Sequence, residues 1–424
     1  LYRRVAICVN TELTRRGALI GATSLAACMR EDDGNTIRFW AMGNEAARVP
    51  EVLGPFQART WLSVRVQALP WTAAHERLLT AYAGNALPDV AQVGNTWVSE
   101  MTAIGALRPV DADEQLDDNF PGVLDTNRIG ERYYALPWYV DTRLLFYRTD
   151  MLARAGYETV PHDWTAWKAS MHAVKRIAGE GNFAILLPLN EFEQLLTLGL
   201  QQEEPLLREE GSRGNFSNPG FVAALEFYKS LFDEGLAPIA SATQISNVWN
   251  EFSRGFFSYY FSGPWSIGDF QRRLAPEYQD KWATAEMPGP RGLGASAPGG
   301  SSLVVFKDAR SPEAAWALVR HLLDPETQVQ FHAITGDLPA RVSAWRAPAL
   351  ANNPYVATFG RQMQRAKPVP KVPEWERIVT EMQVVAERMV RGEYQPAAAA
   401  REIDRRADAL LEKRRWMLER GRAV

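Results

Sequence analysis

Three short apolar stretches, TIRFWAM (residues 36–42), SVRVQAL (63–69) and DVAQVG (89–94), alternate with segments of helical pattern. A strand, a helix and a further strand repeated in this way pack most simply as a parallel, helix-covered sheet, so the βαβαβ rhythm predicts an α/β domain. The intervening helices are expected near residues 46–57 and 73–83, with another starting near Thr96. No repeat of solenoid length interrupts the pattern.

A chain of 424 residues exceeds what one hydrophobic core comfortably organises, so two domains are expected. Helix starts are written clearly in the second half. Asp163 can cap a helix whose Trp164, Trp167, Met171 and Val174 share one face, and Asn218-Pro219 opens one carrying Phe221, Leu225, Tyr228 and Phe232, stopped by Gly235. Ser311-Pro312 and Asp324-Pro325 repeat the same signal. A glycine-rich stretch, MPGPRGLGASAPGGSSLVVF (287–306), separates a helical region from a new strand at 302–306, which suggests that the chain returns to its first domain. The basic REIDRRADALLEKRRWMLER (401–420) reads as a solvated helix face.

The N-terminus has a different character. Arg15-Arg16 precede an apolar run, Gly17 to Cys28, too short to span a bilayer and shaped like a signal peptide. Leu25-Ala26-Ala27-Cys28 resembles a bacterial lipobox, whose cysteine is lipidated and becomes the first residue of the mature chain. Cleavage there would remove Cys8 and leave no disulfide.

Motifs for bond-making chemistry are largely missing. The histidines at 75, 162, 172, 321 and 332 show neither HExxH nor close Cys/His spacing, so no metal site is expected. There is no GxSxG elbow and no P-loop. GLGASA (292–297) imitates a dinucleotide fingerprint, but Pro288 and Pro290 stand where a strand should, so no cofactor is expected. A net charge of −3 argues against nucleic acid, which needs a basic face. A glycosidase-type carboxylate pair, such as Glu45 with Asp141, stays compatible with the sequence.

Recognition of a hydroxyl-rich ligand is better supported. Sugar C–H faces stack on aromatic rings, and sugar hydroxyls pair with carboxylates and amides, in clefts at the C-terminal ends of strands. GNE (43–45), GNTW (94–97) and WYVDTR (138–143) follow expected strands, although each could equally be a turn or helix cap. FFSYYFSGPWSIGDF (256–270) concentrates seven rings. Its first half reads as a buried strand, and SGPW as the turn that aims Trp265 into a cleft. Trp138 either packs between domains or touches ligand, while Trp249 reads as core.

Taken in order, PDVAQVGNTWVSEMTAIGALRPV, YALPWYVDTRLLFYRTDMLARAG, FSGPW, GGSSLVVF and the helical tail after PKVPEWERIVTEM make the chain resemble the family 1 extracellular solute-binding proteins of ABC sugar importers, the maltose-binding type. The resemblance covers nearly all of residues 36–415. It implies a two-lobed type II periplasmic-binding-protein fold, each lobe a mainly parallel sheet covered by helices, with a hinge crossed more than once. The implied division is residues 36–142 with 301–345 in the first lobe, and 143–300 with 346–424 in the second, after a leader of residues 1–28.

By position in the family, ligand contacts would come from Asn44, Glu45, Asn95, Thr96, Trp97, Asp141, Glu191, Trp265, Arg341 and Trp375. Gly299 and Gly300 would bring backbone amides near the ligand, and Asn190 and Glu193 fall in a segment lining the second lobe. The implied function is that of a receptor and not an enzyme. It would bind an α-linked disaccharide such as maltose or trehalose and pass it to the transmembrane permease subunits of an ABC importer. It would act as a monomer in the periplasm or on the outer face of the membrane, anchored only through lipid at Cys28. A larger oligosaccharide or a polyol phosphate is the alternative ligand, and a secreted carbohydrate-active hydrolase the alternative class.

Overall fold

The computed structural model describes residues 35–111, 116–245 and 247–421. The leader and Cys28 lie outside the described residues.

In chain order, the strands of the two main sheets are β1 (Thr36–Met42), β2 (Ser63–Leu69), β3 (Val90–Gly94), β4 (Leu136–Thr142), β5 (Leu144–Arg148), β6 (Ile185–Leu186), β7 (Tyr259–Ser262), β8 (Trp282–Ala285), β9 (Pro298–Val305) and β10 (Leu338–Pro339). The first sheet has the order β10-β4-β9-β3-β1-β2, and the second β8-β5-β7-β6. Each is covered by helices, which makes a two-lobed α/β protein.

The three opening strands form where their apolar patterns place them, with β1 parallel to both β2 and β3. Parallel pairing otherwise joins β6 and β7. The pairs β9/β3, β9/β4 and β10/β4 are antiparallel, as are β7/β5 and β8/β5. The expectation of mainly parallel sheets therefore holds for the βαβαβ entry and for β6/β7, while the pairs flanking the crossings are antiparallel. A parallel neighbour needs a crossover helix, whereas a strand arriving from the other lobe can enter the sheet from the opposite end.

One residue, Arg143, separates β4 of the first sheet from β5 of the second. The return falls between Ala285 and Pro298, because Pro298, Gly299 and Gly300 already pair with Thr142, Asp141 and Val140. These residues belong to the first sheet, against the expected boundary at 300/301.

Local signals explain most of the helices. The side chains of Asp163, Asn218 and Asp324 accept hydrogen bonds from the backbone N–H groups of Ala166, Phe221 and Thr327 at 2.9, 2.8 and 3.1 Å. Ser311 makes no such bond, and Pro312 begins that helix without it. The helix expected over 46–57 is instead a helix at Gly43–Arg48, a 3-10 turn at Val49–Val52 and a helix at Gly54–Thr60. Pro50 and Pro55 cause the breaks, since proline supplies no N–H and clashes with the preceding turn.

The first lobe buries Ile37, Phe39, Val305 and Trp316 in one cluster, and the second buries Trp167, Met171, Leu225 and Tyr259 in another. Trp138 is core, stacked on Phe331 with centroids 4.8 Å apart, and Trp249 meets Phe270 edge-on at 5.3 Å. In FFSYYF, Phe257, Tyr259 and Phe261 are buried.

Candidate functional site

At the crossing, β9 lies beside β4, with Gly299 opposite Asp141. A Cβ on Gly299 would sit 2.1 Å from Asp141 Oδ1, so only glycine leaves room for that carboxylate. The Gly300 amide hydrogen-bonds Asp141. Burial nevertheless raises the Asp141 pKa, with Arg143 opposing the shift and Glu193 adding to it. The two glycine backbones thus serve the protein's own side chains. Asn95 does the same, donating through Nδ2 to the Gly299 carbonyl at 3.0 Å and accepting from Ser302 Oγ at 2.7 Å. It is buried, and it ties the end of β3 to the returning strand.

A second group collects at the end of β1. Glu45, 8% exposed, lies on the short helix Gly43–Arg48 close to Tyr139, Trp71 and Asp337. Its Oε2 and the Oδ2 of Asp337 are both buried without a donor. Burial raises the pKa of Glu45. Burial, and then the nearby charge of Glu45, push Asp337 up to about 8. Two carboxyl groups so placed share a proton, since a pair of adjacent buried charges is costly. Tyr139 is held from behind by Gln92, whose Nε2 donates to its hydroxyl at 3.2 Å while its Oε1 accepts from Met42 N at 2.7 Å.

Aromatic surface comes from both lobes. Trp71 opens the helix Trp71–Ala83 just past β2 and remains exposed, with its ring edge-on to Trp97 at 5.8 Å. Thr96 shares the 3-10 turn Asn95–Trp97 and is half-buried. His75 sits 5.0 Å from the Trp97 ring and 2.7 Å from Glu100 Oε2, a hydrogen bond that raises its pKa. In the second lobe, Trp265 starts the helix Trp265–Arg273 and is 45% exposed. The turn before it requires glycine, because a Cβ on Gly263 would lie 2.2 Å from the indole ring. Trp265 and Asn44 line one cavity of about 420 Å³, together with Arg272, His332, Thr335 and Asn353.

Glu191 is held by Gln194 Nε2 at 2.8 Å, and burial, then the charge of Glu193, raise its pKa. Asn190 is used locally, accepting from Ala242 N at 2.7 Å.

Two expected contacts are corrected. Trp375 is 2% exposed inside the second-lobe core, beside Ile378 and Val379, so neither ring face is open for stacking. Arg341 is buried, its backbone N–H donating to Gln328 Oε1 at 2.9 Å and its Nε to the Leu323 carbonyl at 3.2 Å. It braces the first lobe.

Trp71, Arg143 and Asp337 were not singled out from sequence. Trp71 obeys the rule that marked the neighbouring loops, since it follows the C-terminal end of β2. Asp337 precedes an antiparallel strand, β10, so that rule cannot reach it.

The model for bacterial extracellular solute-binding proteins matches residues 51–358. The chain superimposes on the sugar-binding protein MalE from the phytopathogen Xanthomonas citri with a TM-score of 0.88 at 49% identity, covering 91% of this chain and 99% of that one. The GacH receptor of Streptomyces glaucescens shares the fold, with a TM-score of 0.77 at 24% identity over 89% of this chain and 98% of that one. The diacetylchitobiose binding protein DasA of Streptomyces coelicolor is 21% identical over 409 residues, 90% of this chain and 94% of that protein. The chain belongs to the bacterial extracellular solute-binding protein family.

Proposed function

We propose that this protein is an extracytoplasmic receptor that binds an oligosaccharide between its lobes and delivers it to the permease of an ABC importer. The observation that carries the reading is the exposed Trp265 ring stacked on Arg143, whose guanidinium also holds Asp141 and Glu193, with Glu45 and Asp337 on the first lobe. An exposed indole offers a flat apolar face, and carboxylates accept strong hydrogen bonds from hydroxyls. The 49% identity to a sugar-binding protein supports the same ligand class, as do curated relatives named for binding diacetylchitobiose and maltotriose.

The ligand is an α-linked disaccharide such as maltose or trehalose. A polyol phosphate fits poorly, because Glu45, Asp141, Glu191, Glu193 and Asp337 are carboxylic and the nearby Arg143 guanidinium already serves two of them. Binding shifts an open–closed equilibrium, and the closed form presents both lobes to the permease. The receptor acts as a monomer, exported by its leader and held at the membrane by lipid at Cys28.

A hydrolase with Glu45 and Asp141 as its pair is the competing reading. The protein is incubated with maltose and with trehalose, and glucose is assayed while binding is followed by tryptophan fluorescence. A saturable fluorescence change without glucose release is expected. Glucose release abolished by Glu45→Gln or Asp141→Asn overturns the receptor reading.

A further inference from the structure

Arg143 is the single residue between β4 of the first sheet and β5 of the second. Its side chain is 22% exposed and reaches three groups from three separate elements. Nη1 donates to Asp141 Oδ1, at the end of β4, at 3.1 Å. Nη2 donates to Glu193 Oε1, at the start of the second-lobe helix Glu193–Leu200, at 3.2 Å. The guanidinium carbon lies over the Trp265 ring, 4.4 Å from its centroid.

A planar guanidinium can donate to two carboxylates and stack on an indole together, which a lysine ammonium cannot. Without it, Asp141 and Glu191 would lose the charge that opposes the effect of Glu193 on each, and Trp265 would lose the group that covers one side of its ring. Because 45% of the ring stays exposed, the guanidinium fixes the indole and still leaves surface for a ligand.

We propose that Arg143 is the positioning residue of the cleft: it locks Trp265, Asp141 and Glu193 into one arrangement, and from its place at the crossing it ties that arrangement to the angle between the lobes. This rests on the reading of the cleft as a sugar site, so the test has one arm that needs no sugar.

In the ligand-free arm, the Trp265 signal is isolated by subtracting the emission of a Trp265→Phe protein from that of its parent, in wild-type, Arg143→Met and Arg143→Lys backgrounds. Arg143→Met is expected to raise acrylamide quenching of that signal about twofold, since the ring loses a stacked neighbour, with Arg143→Lys in between. Circular dichroism and melting establish that each variant is folded, and Arg143→Lys carries the arm if Arg143→Met is not. Unchanged Trp265 quenching overturns the proposal.

In the ligand arm, Arg143→Met is expected to weaken sugar binding about tenfold, and by clearly less in the Trp265→Phe background, because the two residues act as a unit. Additive losses in that cycle overturn the proposal. If wild-type protein binds no sugar at all, the functional reading fails, and the quenching arm still decides the role of Arg143.

Discussion

Burial, and then the charge of neighbouring Glu45, push the Asp337 carboxyl up to about 8, so the folded protein holds a proton that an unfolded chain would release around 3.8. Between these values the folded state binds more protons than the unfolded state, and stability must fall as pH rises through the window. Melting temperature is expected to drop between about pH 4 and about pH 8, and Asp337→Asn to remove part of that slope. Parallel slopes for the two proteins would contradict the assignment. Trp265 acts at the same scale. An exposed ring contributes little to folding, so Trp265→Ala should melt near wild type while losing about 1–2 kcal/mol of sugar affinity, the usual cost of removing an aromatic anchor.

Elements were legible in the sequence where a local rule decides them. Asn218 fixes its helix start through one hydrogen bond to Phe221, and Asn218→Ala is expected to cost about 1 kcal/mol, read as a lower denaturation midpoint at unchanged slope. The strands at Thr36, Ser63 and Val90 followed equally directly from apolar pattern. What pattern cannot show is which distant strand becomes a neighbour. The pairing of Gly299 with Asp141 joins residues far apart in the chain, and it sets the Gly300 amide against that carboxylate and the Gly299 carbonyl against Asn95. Gly299→Ala should therefore displace Asp141, destabilising the fold by about 1–3 kcal/mol, as overpacking does, and weakening binding too. A melting temperature and affinity equal to wild type would contradict that placement. Trp375 shows the opposite limit, since a tryptophan at a helix start can face the core or the cleft, and only packing against Ile378 and Val379 settles which.

At the scale of the whole molecule, two sheets are linked through the single residue Arg143 and a glycine-rich return, and Asn44 of the first lobe and Trp265 of the second line one cavity. Two lobes could be read from chain length and from the strand that follows residue 300. The antiparallel strands near the crossings could not, because their direction depends on which lobe the chain has just left. Trp71 and Asp337 enter the site only once the strand ends from separate elements meet. The central claim, a neutral sugar bound at Trp265 in the cleft, is tested most directly by calorimetric titration of wild-type and Trp265→Ala proteins with maltose, trehalose, diacetylchitobiose and a polyol phosphate. The expected result is one-site binding of an α-linked disaccharide by the wild type, weakened about tenfold in the variant. Binding of that sugar unaffected by the substitution, or preference for the phosphate, would contradict it.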